Sequence, residues 1–256
     1  MVTGRGAPRA RRAVLVLAVL GPMLAASSAL ATITPLRRLE YRVAWNGIPA
    51  GSAAVSIAPG EADGRETLSV QGTAGTNAFV SLFWSFRGTM QVTMLADGPA
   101  PHRFDYRRDI NGSPYATTID FAEGTAHGVY EHLGVRQETE MTAEVVDPVT
   151  AVFRAIGSDA GPGDDLWYDV WTGEIRYLVK LDIRKRETID VPAGRFAALQ
   201  VVPHVWRIEG RPAPDTRIRR ATIWVTDDAR HVPLRVQSKV FLGSVSLDLL
   251  ELAPRE

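Results

Sequence analysis

The stretch that decides the fold is residues 221–252, which read ATIWVTDDARHVPLRVQSKVFLGSVSLDLLEL. Apolar side chains share one parity in each of three segments, at Ala221, Ile223 and Val225, at Leu234, Val236, Val240 and Leu242, and at Val245, Leu247 and Leu249. A period of two with β-branched side chains is typical of strands that bury one face. The polar residues 227–230 are short enough for a hairpin loop. The chain is therefore predicted to end in an antiparallel meander.

The same alternation runs through most of the chain before this stretch, beginning at residues 39–44. Asn46-Gly47 follows the first alternating segment, and Asn111-Gly112 separates two later ones. Asn-Gly is a strong hairpin signal, because both central residues of a type I′ turn need a positive φ. These patterns indicate many antiparallel strands joined mostly by short turns.

Two segments depart from the alternation and are predicted to be short helices, residues 76–86 and 147–157. Their apolar positions at helical spacing are Phe79, Leu82, Phe83 and Phe86 in the first segment and Val149, Val152, Phe153 and Ile156 in the second. Thr76 or Asn77 can cap the first helix. Asp147-Pro148 is a typical helix start, and Gly157 is a natural stop.

The predicted fold is mainly β: a single curved antiparallel sheet or incomplete β-barrel of about ten or more strands, since sheets of that size tend to curl or close. The two short helices are expected to cover its open mouth or concave face. The 256 residues are 45 % hydrophobic, which is enough for a sizeable core. Residues 32–256 are expected to form one antiparallel β-domain.

Residues 1–31 have the features of a cleavable signal peptide. Four arginines and no acid precede an apolar run at 13–20, and Ala29-Leu30-Ala31 offers the small-x-small pattern of a cleavage site. A membrane anchor is the alternative, but Gly21-Pro22 interrupts the run, which is short for a span. We therefore predict cleavage after Ala31, a periplasmic protein, and no transmembrane span in the mature chain.

Charge argues against a nucleic-acid-binding protein, and the absence of cysteine excludes a disulfide-stabilised one. The chain has 29 basic and 29 acidic residues, so removal of the four arginines in 1–31 leaves 25 against 29, a net charge of −4. A nucleic-acid-binding protein normally has a basic excess, so nucleic acid is not an expected partner. The chain has no Cys and hence no disulfide, so its core must supply the stability.

No motif for catalysis, metal binding or a cofactor is present. His127 and His132 would point to opposite faces of a strand, whereas a metal site needs convergent ligands. Neither a G-x-S-x-G elbow nor a phosphate-binding loop occurs. Asp227-Asp228 is typical of a turn that bonds its own backbone, and Asp182 belongs to a strand face of mixed charge. As the alternative, Asp227, Asp228 or Asp182 would serve as acids of an enzyme acting on envelope glycan.

Aromatic and apolar side chains are the better candidates for a binding site. Trp224 has the opposite parity to Ile223 and Val225, and its neighbours on that face are threonines. Such a mixed face suits an amphipathic groove or a barrel interior, and ordinary core packing is the alternative. The predicted ligand-binding residues are Phe79, Leu82, Phe83, Trp84, Trp206 and Trp224. In this hypothesis the helix at 76–86 is a lid over an apolar cavity with a tryptophan opposite; the alternative is a helix packed fully into the core.

The order of several short motifs resembles an exported family, domain of unknown function 3108. The motifs are LEYRV at 39–43 with GIPAGSA at 47–53, VPAGRF at 191–196 with LQV at 199–201, and WVTDD at 224–228 with VPLRV at 232–236 and GSV at 243–245. The helix from Asp147 through Phe153-Arg154 is similar as well. The resemblance implies a periplasmic, mostly antiparallel β-protein and implies no catalytic residue.

The closing W-x-x-D…P-L-x pattern also resembles that of periplasmic lipoprotein carriers, half-open barrels with helices over an apolar cavity. We therefore expect a non-catalytic binding or carrier protein for a lipid or another apolar or amphipathic envelope component, without a cofactor. The glycan-acting enzyme and a structural or assembly partner are the alternatives. A carrier needs an apolar cavity of about 300 Å³ or more, and an enzyme needs two carboxyls roughly 5 to 9.5 Å apart. An assembly partner needs a large exposed apolar patch.

Overall fold

The computed structural model describes residues 37–142, 144–208, 213–214, 221–240 and 243–251. The predicted signal peptide, residues 1–31, lies outside the described residues, as does Leu242 of the closing pattern. The strands are β1 (Arg37–Trp45), β2 (Ile48–Ala62), β3 (Arg65–Thr76), β4 (Phe86–Leu95), β5 (Pro101–Ile110), β6 (Ser113–Ala122), β7 (Thr125–His132), β8 (Val135–Met141), β9 (Asp165–Trp171), β10 (Arg176–Val191), β11 (Gly194–Arg207), β12 (Ala213–Pro214), β13 (Ala221–Thr226), β14 (Pro233–Lys239) and β15 (Ser244–Glu251). The helices are α1 (Ala78–Ser81) and α2 (Pro148–Ile156).

All described strands belong to one antiparallel sheet. Fourteen of them follow the order β8-β7-β6-β5-β4-β3-β2-β1-β15-β14-β13-β11-β10-β9, and the two-residue β12 pairs with β11. The two edge strands, β8 and β9, are not paired with each other, so the sheet is not closed into a barrel. The predicted fold, a curved antiparallel sheet with two short helices, is confirmed.

The turn chemistry read from the sequence is confirmed in two hairpins. Asn46 and Gly47 have φ values of 49° and 81°, and Asn111 and Gly112 have 53° and 77°. Both pairs therefore occupy the left-handed region that a type I′ turn requires. These turns set the register of β1 with β2 and of β5 with β6.

The last strand lies in the middle of the sheet. β15 pairs with β1 on one side and with β14 on the other. The Tyr41 hydroxyl, fully buried, also donates to the carbonyl oxygen of Pro233 at 3.1 Å. The first and last described strands thereby join two halves, β1–β8 and β9–β14.

One pair of predicted strands is a single strand. Residues 174–180 and 181–190 each have a pattern that predicts a separate strand, but β10 runs without interruption from Arg176 to Val191. An irregularity between Ile183 and Lys185 shifts its register against β11. Because no turn-forming residue separates Lys180 from Leu181, the chain accommodates the change in alternation by this bulge.

The sheet curls until its two ends meet. Trp171 at the end of β9 is buried against Gly128 of β7, where a Cβ atom would lie 2.5 Å from the indole ring. Val146, which follows β8, forms an isolated parallel bridge with Val170 of β9. The close approach at Gly128 thus lets β9 pack on the inner face of the other half, and the core forms between the two halves.

The first helix is much shorter than predicted. The spacing indicated a helix over residues 76–86, whereas α1 spans four residues, Ala78–Ser81. Thr76 still belongs to β3 and Phe86 already belongs to β4, and the Phe86 amide donates to the Thr76 hydroxyl at 3.0 Å. Pairing of the two strands therefore overrides the helical spacing at both ends of the segment.

Candidate functional site

Helix α2 is fixed at both ends over the inner face of the sheet. The buried carboxylate of Asp147 caps its N-terminus and accepts from the amides of Val149 and Thr150 at 2.8 and 3.0 Å. It also accepts from the Thr150 hydroxyl at 2.5 Å. At the other end, Nδ1 of His231 lies 3.0 Å from the carbonyl oxygen of Ile156. The predicted start at Asp147-Pro148 is confirmed.

An apolar cavity of about 160 Å³ lies beneath this helix. Ala151, Val152 and Ala155 of α2 form one wall. The opposite wall comes from every second residue of neighbouring strands, including Val179, Leu181 and Ile183 of β10 and Val201, Pro203 and Val205 of β11. The period of two in these strands therefore builds the apolar surface.

Arg108 and Glu174 form a polar site in the wall of this cavity. The Arg108 side chain is only 3 % exposed, and its Nη2 donates to Oε2 of Glu174 at 3.1 Å. Its guanidinium lies 4.7 Å from the ring centre of Tyr115 and 5.5 Å from that of Tyr106. The Nε of Arg108 has no hydrogen-bond partner among the described residues. A buried donor left in this state favours any ligand that brings an acceptor.

Burial keeps the phenols near this site neutral. It raises the pKa of Tyr106 and of Tyr130 far above the ordinary value, and a hydrogen bond with Glu174 contributes at Tyr130. Burial also raises the pKa of Tyr168, another lining residue. A phenol is already protonated at neutral pH, and burial keeps these three hydroxyls protonated, and able to donate hydrogen bonds, at alkaline pH as well.

Arg108 and Glu174 are not among the site residues predicted from the sequence. Arg108 shares its parity in β5 with the buried Phe104 and Tyr106. An arginine on an apolar face was therefore a readable signal for a buried charge that needs a partner. Glu174 had no comparable signal, since it lies in the turn between β9 and β10.

The four candidate residues of the first helical segment do not line the cavity. Phe79, Leu82 and Phe83 are 63 %, 78 % and 78 % exposed, and α1 has no buried residue. Trp84 is half-buried and stacks on Phe86 with ring centres 5.9 Å apart. The segment is thus neither a lid over this cavity nor a helix packed into the core, because its candidate residues do not line the cavity and α1 buries no residue.

The two remaining candidates also lie outside the cavity lining. Trp206 alternates with the lining residue Val205 and stacks on Trp167 with ring centres 5.5 Å apart. The Nε1 of Trp224 donates to Oε1 of Glu187 at 2.8 Å. The six candidates therefore occupy three separate places in the fold, and their role in ligand binding stays a prediction.

The three candidate acids are each engaged by neighbouring side chains. Asp227 accepts from Arg186 at 2.9 Å, and Asp182 accepts from Arg184 at 3.0 Å. Asp228 accepts from the Arg230 amide, as expected of a turn former. Partial burial alone would raise the pKa of Asp228, but hydrogen bonds from Arg230 and Thr226 lower it. A lowered pKa makes Asp228 a poor general acid at neutral pH.

Within the described ranges, no group of three or more His, Cys, Asp or Glu side chains is placed to hold a metal ion. In the same part of the chain, no helix has the length and apolar character needed to cross a membrane.

The sheet and its helix-covered interior define a class, the open β-barrel-like proteins. Within that class the chain belongs to the family described as protein of unknown function (DUF3108), whose profile matches residues 40–250. The resemblance seen in the sequence motifs is thereby confirmed.

Two solved structures are similar to the chain to different degrees. The β-barrel-like protein of DUF1849 from Brucella abortus is 9 % identical, covers 87 % of this chain and 98 % of its own, and has a TM-score of 0.57. A protein with a YmcC-like fold from Bacteroides fragilis is 9 % identical, covers 90 % of this chain and 100 % of its own, and has a TM-score of 0.39. No curated protein matches the chain by sequence. At 9 % identity the first likeness supports the fold alone.

Proposed function

We propose that this protein binds the apolar part of an amphipathic molecule in the cavity beneath α2. The observation that carries the proposal is the composition of the wall: α2 on one side and alternate residues of β10 and β11 on the other are almost entirely apolar. A cavity of this kind excludes water and favours hydrocarbon.

The size of the cavity limits what can enter it. Its volume of about 160 Å³ is below the roughly 300 Å³ of an ordinary small-molecule site. It is close to the roughly 150 Å³ of an apolar cavity that holds one benzene. The proposed ligand therefore inserts a ring or a length of acyl chain, and the rest of the molecule lies outside.

Arg108 supports a ligand with an acidic or acceptor head group. The buried guanidinium keeps one donor, Nε, without a partner among the described residues. Charged donors make stronger hydrogen bonds than neutral ones. A carboxylate or phosphate next to Arg108 would supply the missing acceptor, while the chain occupies the apolar cavity.

Export to the periplasm belongs to this proposal. Its support is the basic, apolar and small-residue pattern of residues 1–31. N-terminal sequencing of the protein from its host tests it, with a mature chain expected to begin at Thr32. A mature chain beginning at Met1 would refute it. Envelope lipids are then the ligands available to the cavity.

Filling the cavity tests the binding site directly. Ala155→Leu adds bulk to the cavity wall, whereas Ala197→Leu adds the same bulk at an exposed position of β11. We expect wild type to bind the apolar fluorophore N-phenylnaphthylamine and Ala155→Leu to bind it at least about tenfold more weakly, a loss of about 1.4 kcal/mol. Ala197→Leu should bind like wild type.

Competition experiments distinguish binding in the apolar cavity from binding of a head group at Arg108. Dodecanoate should displace the fluorophore better than dodecanol, and the double variant Arg108→Met/Glu174→Gln should lose that preference. Thermal unfolding of every variant controls for misfolding. Equal binding of the fluorophore by wild type and by a folded Ala155→Leu variant would refute the proposed function.

A further inference from the structure

The strand ends of β1–β8 differ sharply between the two ends of the sheet. The β1–β2, β3–β4, β5–β6 and β7–β8 connections share one end, because neighbouring strands are antiparallel. Nine large hydrophobic side chains are exposed among the described residues, and seven of them flank or form these connections: Trp45, Ile48, Phe79, Leu82, Phe83, Leu133 and Val135. We call this end the apolar rim.

Side-chain hydrogen bonds tie the connections of the rim together. Nδ2 of Asn77 donates to the carbonyl oxygen of Pro49 at 2.7 Å, linking the α1 connection to β2. The Ser85 amide donates to Oδ1 of Asn111 at 2.8 Å, linking it to the β5–β6 turn. Eight strands at about 4.8 Å spacing give the rim a length of roughly 30 Å along the curved edge of the sheet. The rim is therefore one broad, fixed surface.

The β7–β8 turn places an apolar residue where the fold prefers a polar one. Asn46, Asp63 and Asn111 hold the left-handed position before a glycine in three other hairpins. Leu133 holds it here with a φ of 49°, and its side chain is exposed. A leucine is strained in this region, and exposure recovers nothing by packing. Neither the stability nor the solubility of the protein explains why a leucine occupies this position.

Positive charge lies immediately behind the rim. An open cleft of about 800 Å³ is lined by rim residues and by Arg87, Arg107, Arg108 and Arg136, with Asp109 and Glu131 as the acids. Arg136 pairs with Glu131, but Arg87 and Arg107 form no ion pair with any described residue. The cleft therefore presents free cations beside the apolar tips.

The opposite end of the same strands has the reverse character. Its β2–β3, β4–β5 and β6–β7 turns carry five acids and one arginine: Glu61, Asp63, Glu66, Asp97, Glu123 and Arg65. None of these three described turns has a large exposed hydrophobic side chain. An anionic surface would attract the rim and repel the other end, so it would orient the molecule.

We propose that the apolar rim docks on the surface of an anionic phospholipid bilayer. Apolar tips on separate turns suit a broad surface, whereas a peptide partner needs a groove. Interfacial segments bury apolar side chains at the acyl boundary and gain from basic residues near lipid phosphates. Phe79, Leu82 and Phe83 enter the boundary, and Arg87 and Arg107 contact phosphates. This inference does not depend on the cavity beneath α2.

Co-sedimentation with lipid vesicles tests the docking surface. The protein is used in the form that its native host accumulates. The probes are vesicles of phosphatidylcholine alone and of phosphatidylcholine with phosphatidylglycerol in equal parts. The variant Phe79→Ser/Leu82→Ser/Phe83→Ser should bind anionic vesicles at least about tenfold more weakly, because it loses three exposed apolar side chains. The control Trp167→Ser/Leu250→Ser removes exposed apolar side chains elsewhere and should bind like wild type.

Charge variants and a site-specific label separate docking from non-specific adhesion. Arg87→Gln/Arg107→Gln should weaken binding about tenfold on anionic vesicles and leave phosphatidylcholine unaffected. Because the chain has no Cys, Leu82→Cys can carry a single environment-sensitive fluorophore. Its emission should shift to the blue on anionic vesicles, whereas a label at Asp97→Cys on the opposite end should not shift.

Three outcomes would overturn the proposal: no binding of wild type to anionic vesicles, undiminished binding by the folded triple serine variant, or a blue shift at both labels. Sedimentation equilibrium tests a second copy of the chain as occupant. A wild-type dimer that the triple variant abolishes, without vesicle binding, would also overturn it.

Discussion

The two helices share a sequence pattern and occupy opposite environments. Both are short and apolar, and both are capped by a side-chain oxygen, from Asn77 in α1 and Asp147 in α2. Yet α2 buries six of its nine residues, and α1 buries none. The apolar composition of a segment therefore does not show whether the fold buries it or exposes it.

The difference follows from what the neighbouring chain allows. Residues 77–85 connect two strands that pair directly with each other, so α1 has to project from the sheet end. Residues 142–164 connect the opposite edges of the sheet, β8 and β9, so α2 has to cross the concave face. Connection topology, not composition, decides which helix belongs to the core.

The largest expected effect is a contrast in stability between two phenylalanines. Phe153→Ala on α2 should lower the free energy of unfolding by about 3–5 kcal/mol, because it leaves a cavity in the core. Phe83→Ala on α1 should change it by about 0.5 kcal/mol or less, because the ring is exposed. Urea unfolding measures both. Similar losses in the two variants would break the comparison.

The second-largest expected loss of stability comes from removal of the N-terminal cap of α2. Asp147→Ala removes an acceptor that serves two buried amides and one hydroxyl. We expect a loss of about 2–3 kcal/mol in the free energy of unfolding, which is a cap term plus unsatisfied buried donors. Asp147→Asn keeps one acceptor oxygen and should lose less. An Asp147→Ala variant as stable as wild type would contradict the assigned role.

The cap of α1 should matter less. Asn77→Ala removes an acceptor for the Val80 amide and a donor to Pro49, both at the solvent-exposed rim. We expect about 1 kcal/mol or less, because water can replace these bonds. Amide hydrogen exchange sharpens the test: faster exchange should be confined to residues 77–85. A global loss comparable to that of Asp147→Ala would show that the rim stabilises the whole sheet.

The smallest effect is a dependence on pH that only the buried cap should show. Burial raises the pKa of Asp147, although hydrogen bonds from Thr150 and Val149 oppose the shift. From about pH 4 upward the unfolded carboxyl has lost a proton that the native one still holds. Asp147 therefore contributes less stability as pH rises through that window.

Urea unfolding of wild type and Asp147→Asn across this pH range provides the measurement. The stability of wild type relative to the variant should fall as pH rises, since asparagine does not titrate. A difference that stays constant, or that grows with pH, would show that the hydrogen bonds to Asp147 outweigh its burial.

Local signals predicted the elements well where backbone chemistry is strict. Asn46-Gly47 set a hairpin because few residues tolerate positive φ, and Asp147-Pro148 set a helix start because Asp accepts from the first amides and Pro at the first helical position loses no hydrogen bond. The closing hairpin followed from the alternation in β13 and β14. These features depend on neighbours within a few residues.

The sites were less predictable because they depend on distant pairings. The cavity needs α2 to lie over β10 and β11, and the rim needs four connections to share one end. Helical spacing at Phe79 and Phe83 was real but carried no information on what would cover them. Arg108 could have been found from its parity in β5; its partner Glu174, 66 residues further on, could not.

The position of β15 between β1 and β14 sets the order in which the sheet can be assembled. The first eight described strands can pair in succession as the chain extends, since each contacts the one before it. Their union with β14 waits for the last strand, about 200 residues behind its partner β1. A chain that stops before Ser244 leaves β1 and β14 as open strand edges, which are templates for aggregation. Completion of the sheet therefore requires the last strand, and a chain that lacks it keeps both open edges.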